Sequence, residues 1–311
     1  MEEEEEVEVI PDEFLHSEYD MVAEPGEATG LCVIFNSTTF TARCLPTREG
    51  SKKDVESIRK VFGDRFGLTV VEEKDKTKAE MEASLKAIAA EFKHPWRCFV
   101  CFFLSHGLGE EYLADFDGNR VNVRLLVKLF DGDNCPRMVG KPKLFFAQMC
   151  RGFDAAEYRR SHYKYDAAGG MLFEDSLPAN VSPDRDRLVC YATTEGRMAP
   201  LDPEKGSLFI QTLTKVLRAV GGERKIEEVL SIVTNMVDKQ AEEKYKVCPV
   251  FDSTLIGKLT FPTHPKNENA GKLVLKKIMK NKTLSDALEI DANMKSDMTE
   301  ALRQNFQKLL V

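Results

Sequence analysis

Cys98-Phe99-Val100-Cys101-Phe102-Phe103-Leu104-Ser105-His106-Gly107 is the stretch on which the fold turns. Its apolar run falls far short of the roughly 20 residues that cross a bilayer and reads as a strand, Arg97 to Leu104, buried on both faces. A second run of this kind, Lys143 to Met149, ends on Cys150. Strands apolar on both faces belong to parallel sheets covered by helices. In such sheets, binding and reactive groups gather just beyond the carboxyl ends of the strands. Here those two ends carry His106 and Cys150.

Working outward, the pattern alternates between strand and helix. Leu31 to Phe35 reads as a first strand. Ser51 and Asp54 have the spacing of a capping box, with Val55, Ile58, Phe62 and Phe66 following at helical intervals. A short strand, Leu68 to Val71, precedes a second capping box at Thr77 and Glu80 and the stripe Met81, Leu85, Ile88, Phe92. Val121 to Phe130 reads as a helix. Beyond an unpatterned, Asp-, Gly-, Pro-, Ser- and Arg-rich run from Gly152 to Arg187 come the strand Leu188 to Thr193 and two helices, Ser207 to Val220 and Ile226 to about Glu243. Val250 to Phe261 is strand-like. The alternation predicts an α/β fold, a mostly parallel sheet with helices on both faces.

The 311 residues carry a formal net charge of −7 and are 42% hydrophobic, enough for a proper core. An acidic chain has no general attraction for nucleic acid or anionic lipid, so neither is an expected partner. The first nine residues hold five consecutive glutamates and lack the basic and apolar regions of an export signal, and no membrane segment is found. Eight scattered cysteines then read as reduced thiols in the cytoplasm. No cofactor or metal is expected. Cys98 and Cys101 form a C-x-x-C, but residues three apart in a strand face opposite ways and cannot easily share one ion. Asp115 to Asn119 begins like a calcium loop, yet its glycine comes too early and it reads as a hairpin turn. His16, His94, His162 and His264 have no evident partner and read as surface residues.

Cys150 follows His106 by 44 positions and lies in Ala147-Gln148-Met149-Cys150-Arg151-Gly152. The signature Gln-Ala-Cys-[Arg/Gln/Gly]-Gly, with a histidine about 50 residues upstream, marks the caspases. This chain departs from it by Met149 for alanine. Gly30-Leu31-Cys32-Val33-Ile34, Leu104-Ser105-His106-Gly107, Gly140 to Phe145 and Gly206-Ser207-Leu208-Phe209-Ile210-Gln211 also match, in order. Over roughly residues 20 to 262 the chain therefore resembles the caspase family, which implies a three-layer fold around a mostly parallel six-stranded sheet.

The resemblance implies a cysteine endopeptidase. Cys150 would be the nucleophile and His106 its proton carrier, with the backbone amides of Gly107 and Cys150 holding the oxyanion and the Pro46 carbonyl facing the histidine. A buried, inert cysteine is the alternative for Cys150 taken alone. Caspases cut after aspartate because two arginines and a glutamine converge on the carboxylate. Arg48 and Gln148 take two of those positions. The second arginine closes a Ser-Trp-Arg run, and here that run is Ala199-Pro200-Leu201. Substrate pairing would fall to Ala199 and Leu201, leaving Pro200 on the outer edge. Arg197 is another cation in the same loop.

The expected organisation is a short acidic prodomain (1–25), a catalytic domain (26–262) and a C-terminal extension (263–311). The catalytic domain divides into a large part (26–152), a linker (153–186) and a small part (187–262). The short leading segment resembles executioner members, and Met298, Leu302, Phe306 and Leu309 suggest a helix in the extension. Family members mature by cleavage after linker aspartates, for which Asp166 and Asp175 are the candidates here, ahead of Asp154, Asp184 and Asp186. Protein substrates, and a homodimer or a heterodimer with another caspase, are the implied partners. The expectation is an active cytoplasmic peptidase in apoptosis or related signalling. A catalytically weak homologue that regulates an active caspase is the second reading.

Overall fold

The computed structural model describes residues 17–152 and 181–262, apart from 25, 91, 93, 94 and 242–244. Six strands form one sheet: β1 (Gly30–Asn36), β2 (Thr69–Lys74), β3 (Cys98–Leu104), β6 (Lys143–Gln148), β7 (Arg187–Tyr191) and β10 (Val250–Ser253). Their order across the sheet is β10-β7-β6-β3-β1-β2. All neighbours are parallel except β10, which runs antiparallel to β7. Two small hairpins stand outside it: β4 (Tyr112–Ala114) with β5 (Arg120–Asn122), and β8 (Leu201–Asp202) with β9 (Gly206–Ser207).

Alternation along β1, β3 and β6 sends successive side chains into two separate cores, which makes the three layers. Cys32, Ile34, Val100, Phe102, Leu144 and Phe146 pack with α1 (Ser51–Ile58), α4 (Leu208–Val220) and α5 (Ile226–Gln240). Leu31, Val33, Phe99, Phe103 and Phe145 pack on the other face with α2 (Lys78–Ala90) and α3 (Val123–Lys128). Stacked rings bind each layer, Phe102 on Phe146 at 4.8 Å and Phe99 on Phe130 at 4.3 Å. Cys98 and Cys101 fall in opposite cores, as strand alternation requires. Among the described residues no cluster of His, Cys, Asp or Glu could hold a metal ion, and no helix is long and apolar enough to cross a membrane.

Several boundaries differ from expectation. Thr77 and Glu80 do cap reciprocally: the Glu80 carboxylate accepts from the Thr77 amide at 2.8 Å, and the Thr77 hydroxyl accepts from the Glu80 amide at 3.4 Å. The Ser51 and Asp54 box does not form, because Asp54 turns its carboxylate to α4 and Gly50 caps α1 in a left-handed conformation. Beyond Ile58 the helix widens into a π-helical stretch, Arg59–Arg65, that carries Val61 and Phe62 into the core. The segment 121–130 splits into β5 and a short helix, since the Asn122 side chain caps the Leu125 amide at 3.2 Å and starts α3 late. Asp115 to Asn119 forms the predicted turn, with Gly118 at φ 82°. The final strand ends at Ser253 rather than continuing to Phe261. His16, His94, His162 and His264, the acidic leader and the extension beyond 262 lie outside the described residues.

Candidate functional site

β3 and β6 are parallel neighbours with Leu104 opposite Gln148, so residues just past their ends share one edge of the sheet. The Ser105 amide donates to the Gln148 carbonyl at 3.2 Å, and the Ser105 hydroxyl to the Ala114 carbonyl at 2.6 Å. The Ala114 amide donates to the His106 carbonyl at 2.9 Å. The backbone under the histidine is thus held from both sides. A Cβ added to Gly107 would lie 1.6 Å from the Cys150 carbonyl oxygen, so the two backbones touch in a way only glycine permits. Among the described residues no backbone hydrogen bond uses the amide of Gly107 or of Cys150.

The imidazole is oriented by a loop from the end of β1. Asp75 accepts from the Thr38 and Thr39 amides, and the Arg48 amide donates to the Thr38 carbonyl at 2.9 Å, folding 38–48 across the sheet edge. That brings the Pro46 carbonyl to 2.8 Å from His106 Nε2. A carbonyl only accepts, so Nε2 carries the hydrogen and Nδ1 is the basic nitrogen. Phe40 lies against the ring at 5.1 Å between centroids. Burial holds the imidazole below the usual histidine range; the Pro46 bond opposes this and the Arg48 charge adds to it.

Arg48 is buried, donating to the Ser37 carbonyl at 3.0 Å. Desolvation lowers its pKa to about 10, against the pull of Asp54 and Cys150. Asp54 accepts from the Ser207 amide at 2.9 Å and from Gln211 at 2.8 Å, tying α1 to β9 and α4. Burial raises its carboxyl, opposed by those hydrogen bonds and by Arg48. Gly50, at φ 90°, lets the loop after Leu201 pack close: a Cβ there would meet the Asp202 carbonyl at 2.2 Å.

Peptidase C14, described as caspase domain, is the family whose model matches residues 29–260. The chain belongs to the caspase family. Caspase-7 of Gallus gallus is 33% identical over 217 residues, 69% of this chain and 69% of that one. Caspase-6 of Mus musculus is 30% identical over 255 residues, 76% of this chain and 90% of the relative. The crystal structure of caspase-1 from Spodoptera frugiperda superposes with a TM-score of 0.67 at 26% identity, covering 79% of this chain and 93% of that one. The caspase fold that the resemblance implied is the fold found.

The structure brings Cys150, His106, Gly107, Pro46, Arg48, Gln148, Ala199 and Leu201 to one end of the caspase sheet. Met149, the departure from the signature, is buried in the core with Ala147 and Tyr191, away from the side on which Gln148 lies. Ala199 is drawn inward: its amide donates to Cys150 Sγ at 3.4 Å, and its carbonyl accepts from Gln148 Nε2 at 3.4 Å. Its polar groups thus meet the site's own residues, whereas the expectation set them against a substrate. Leu201 pairs with Ser207 in the β8–β9 hairpin, and the side chains of Arg197 and Met198 are exposed. Asp154, Asp166 and Asp175 lie outside the described residues; Asp184 is exposed and Asp186 fully buried.

Sequence reasoning missed two contributors. The capping-box spacing hides a different role for Asp54, although its place six residues after Arg48 signals a carboxylate that can oppose that charge. Arg151 is buried, donating to the Glu110 carbonyl at 2.6 Å and to Glu195 at 2.8 Å, with its guanidinium 4.3 Å from the Tyr191 ring centre. It fastens the loop after β7 to the end of β6, helped by the Arg151 amide donating to the Arg197 carbonyl at 2.8 Å.

Proposed function

We propose that this chain is a cytoplasmic cysteine endopeptidase that cuts protein substrates in apoptosis or related proteolytic signalling, with a preference for aspartate weakened or redirected by Leu201. The observation that carries the reading is His106, its Nε2 fixed on the Pro46 carbonyl, following the strand end next to that of Cys150, with Gly107 packed on the cysteine backbone. His106 Nδ1 takes the thiol proton and Sγ attacks the scissile carbonyl carbon, whose oxygen becomes negative and is met by the Gly107 and Cys150 amides. The proton passes to the departing amine, and water activated by His106 then releases the acyl group as a carboxylic acid. Depression of the imidazole by burial keeps it neutral and able to accept that first proton.

The proposed organisation keeps the expected division into a large part to 152, a linker cut at Asp166 or Asp175, and a small part from 187. The burial of Asp186 argues against cleavage at that residue. A second copy, or another caspase, pairs along β10, the outermost strand of the sheet on that side. The test is to express the full chain and profile cleavage on peptides with every residue before the scissile bond, beside Cys150→Ala; no Cys150-dependent product overturns the reading.

Two observations favour the second reading, a weak homologue that regulates an active caspase. The Ala199 amide sits on Cys150 Sγ, and Leu201 withholds a cation from the pocket. On that reading the chain changes the activity of a partner caspase in a mixed assay, and Cys150→Ala changes it equally.

A further inference from the structure

Arg48, Asp54, Gln148 and Leu201 give the substrate pocket a charge balance that does not suit a carboxylate. Arg48 is 5% exposed, and Asp54, fully buried on α1, sets a negative charge against it, so the pair is already neutral. A second cation would leave one positive charge for the substrate. Leu201 stands at that position, its backbone paired with Ser207, whose amide in turn binds Asp54. The other buried arginine near Cys150, Arg151, is taken up by Glu110, Glu195 and the Tyr191 ring. Arg197 is exposed. An aspartate side chain would therefore bring an uncompensated charge into a buried site.

The hydrogen-bond inventory agrees. Gln148 is 2% exposed; its Nε2 donates to the Ala199 carbonyl, and Oε1 is a buried acceptor with no hydrogen-bond partner among the described residues. Asp54 Oδ2 is a second such acceptor. Arg48 gives one N–H to Ser37 and has others to offer. A carboxylate could accept from Arg48 and from a Gln148 N–H, but it has no proton to give to either orphan acceptor. A carboxamide could satisfy both sides, its oxygen on Arg48 and its NH₂ on an orphan acceptor. The charge argument also holds however the Gln148 amide turns once substrate displaces Ala199.

We infer that the residue this pocket prefers before the scissile bond is a neutral carboxamide, asparagine, over the isosteric aspartate. The inference rests on the peptidase reading above. The test uses the full chain with two fluorogenic peptides that differ only in that residue, and the same two sequences as acyloxymethyl ketones whose attachment to Cys150 is read by mass. The asparagine peptide should exceed the aspartate peptide in kcat/KM by about tenfold or more, since a site built around one partner rejects an analogue lacking it. Leu201→Arg should reverse the order, with Leu201→Lys as a second variant if the first does not fold; the wild-type comparison decides the matter alone. Aspartate equal or superior in the wild type overturns the inference and, with Cys150 labelled, leaves the peptidase reading standing. Absence of both turnover and labelling overturns the peptidase reading and the inference together.

Discussion

The two walls of the candidate site are built differently. His106, Gly107 and Cys150 follow strands at the centre of the sheet, and each backbone is pinned by a neighbouring strand end or by contact with the other. The opposite wall, from Arg197 to Gly206, is a loop and a two-residue hairpin, exposed at Arg197, Met198 and 202–205, fastened at its ends by Arg151 and Asp54. On the proposed reading the first wall supplies reactivity and the second selectivity, and a surface loop tolerates substitution more readily than buried strand ends do. The departures from the family pattern fall accordingly: Met149 is absorbed into the core, whereas Leu201, on the proposed reading, changes the chemistry offered to a substrate.

The rigid wall is broken most severely at its nucleophile. Cys150→Ala should lower peptide turnover by roughly 10⁴- to 10⁶-fold, read from progress curves, with the thermal midpoint unchanged. Gly107→Ala places a methyl where the Cys150 carbonyl already lies. It should cost about 10²- to 10³-fold in kcat by moving the oxyanion amides, and circular dichroism on the same sample separates that loss from unfolding. The loop wall should answer in the other direction: Leu201→Arg should raise kcat/KM for an aspartate peptide by about 10- to 100-fold, and no gain would mean that Leu201 does not face the substrate. The smallest effect is on pH. Because burial lowers the His106 pKa, its neutral form persists further into acid, so the acid limb of kcat/KM should have its midpoint below about 6.5, the ordinary histidine value. A midpoint above that value would mean that a carboxylate, not burial, governs the ring.

The sheet and the reactive pair were legible because they rest on local, periodic signals. Strands buried on both faces announce themselves as apolar runs, and His106 and Cys150 end two of them. Asp54 was misjudged because its partners, Ser207 and Gln211, are more than 150 positions away, and a capping spacing is all a linear reading can see. The split of 121–130 turned on one Asn122 side chain, a choice between competing local hydrogen bonds rather than a pattern. The inward turn of Ala199 was invisible for a similar reason, since nothing in Ala-Pro-Leu records where a backbone amide points.

Asp186, at the threshold of β7, accepts hydrogen bonds from the Tyr19 hydroxyl at 2.7 Å and the Gly140 amide at 2.8 Å, while its own carbonyl accepts from the Lys143 amide at 2.9 Å. The entry to β7 is therefore tied to residues before 152 by hydrogen bonds that do not pass through the chain between 153 and 180. Severing that chain would leave the sheet standing, yet would turn its refolding into an encounter between two separate polypeptides, slower at every dilution. A molecule cut there would hold its shape by never having lost it, its lifetime set by how rarely it opens.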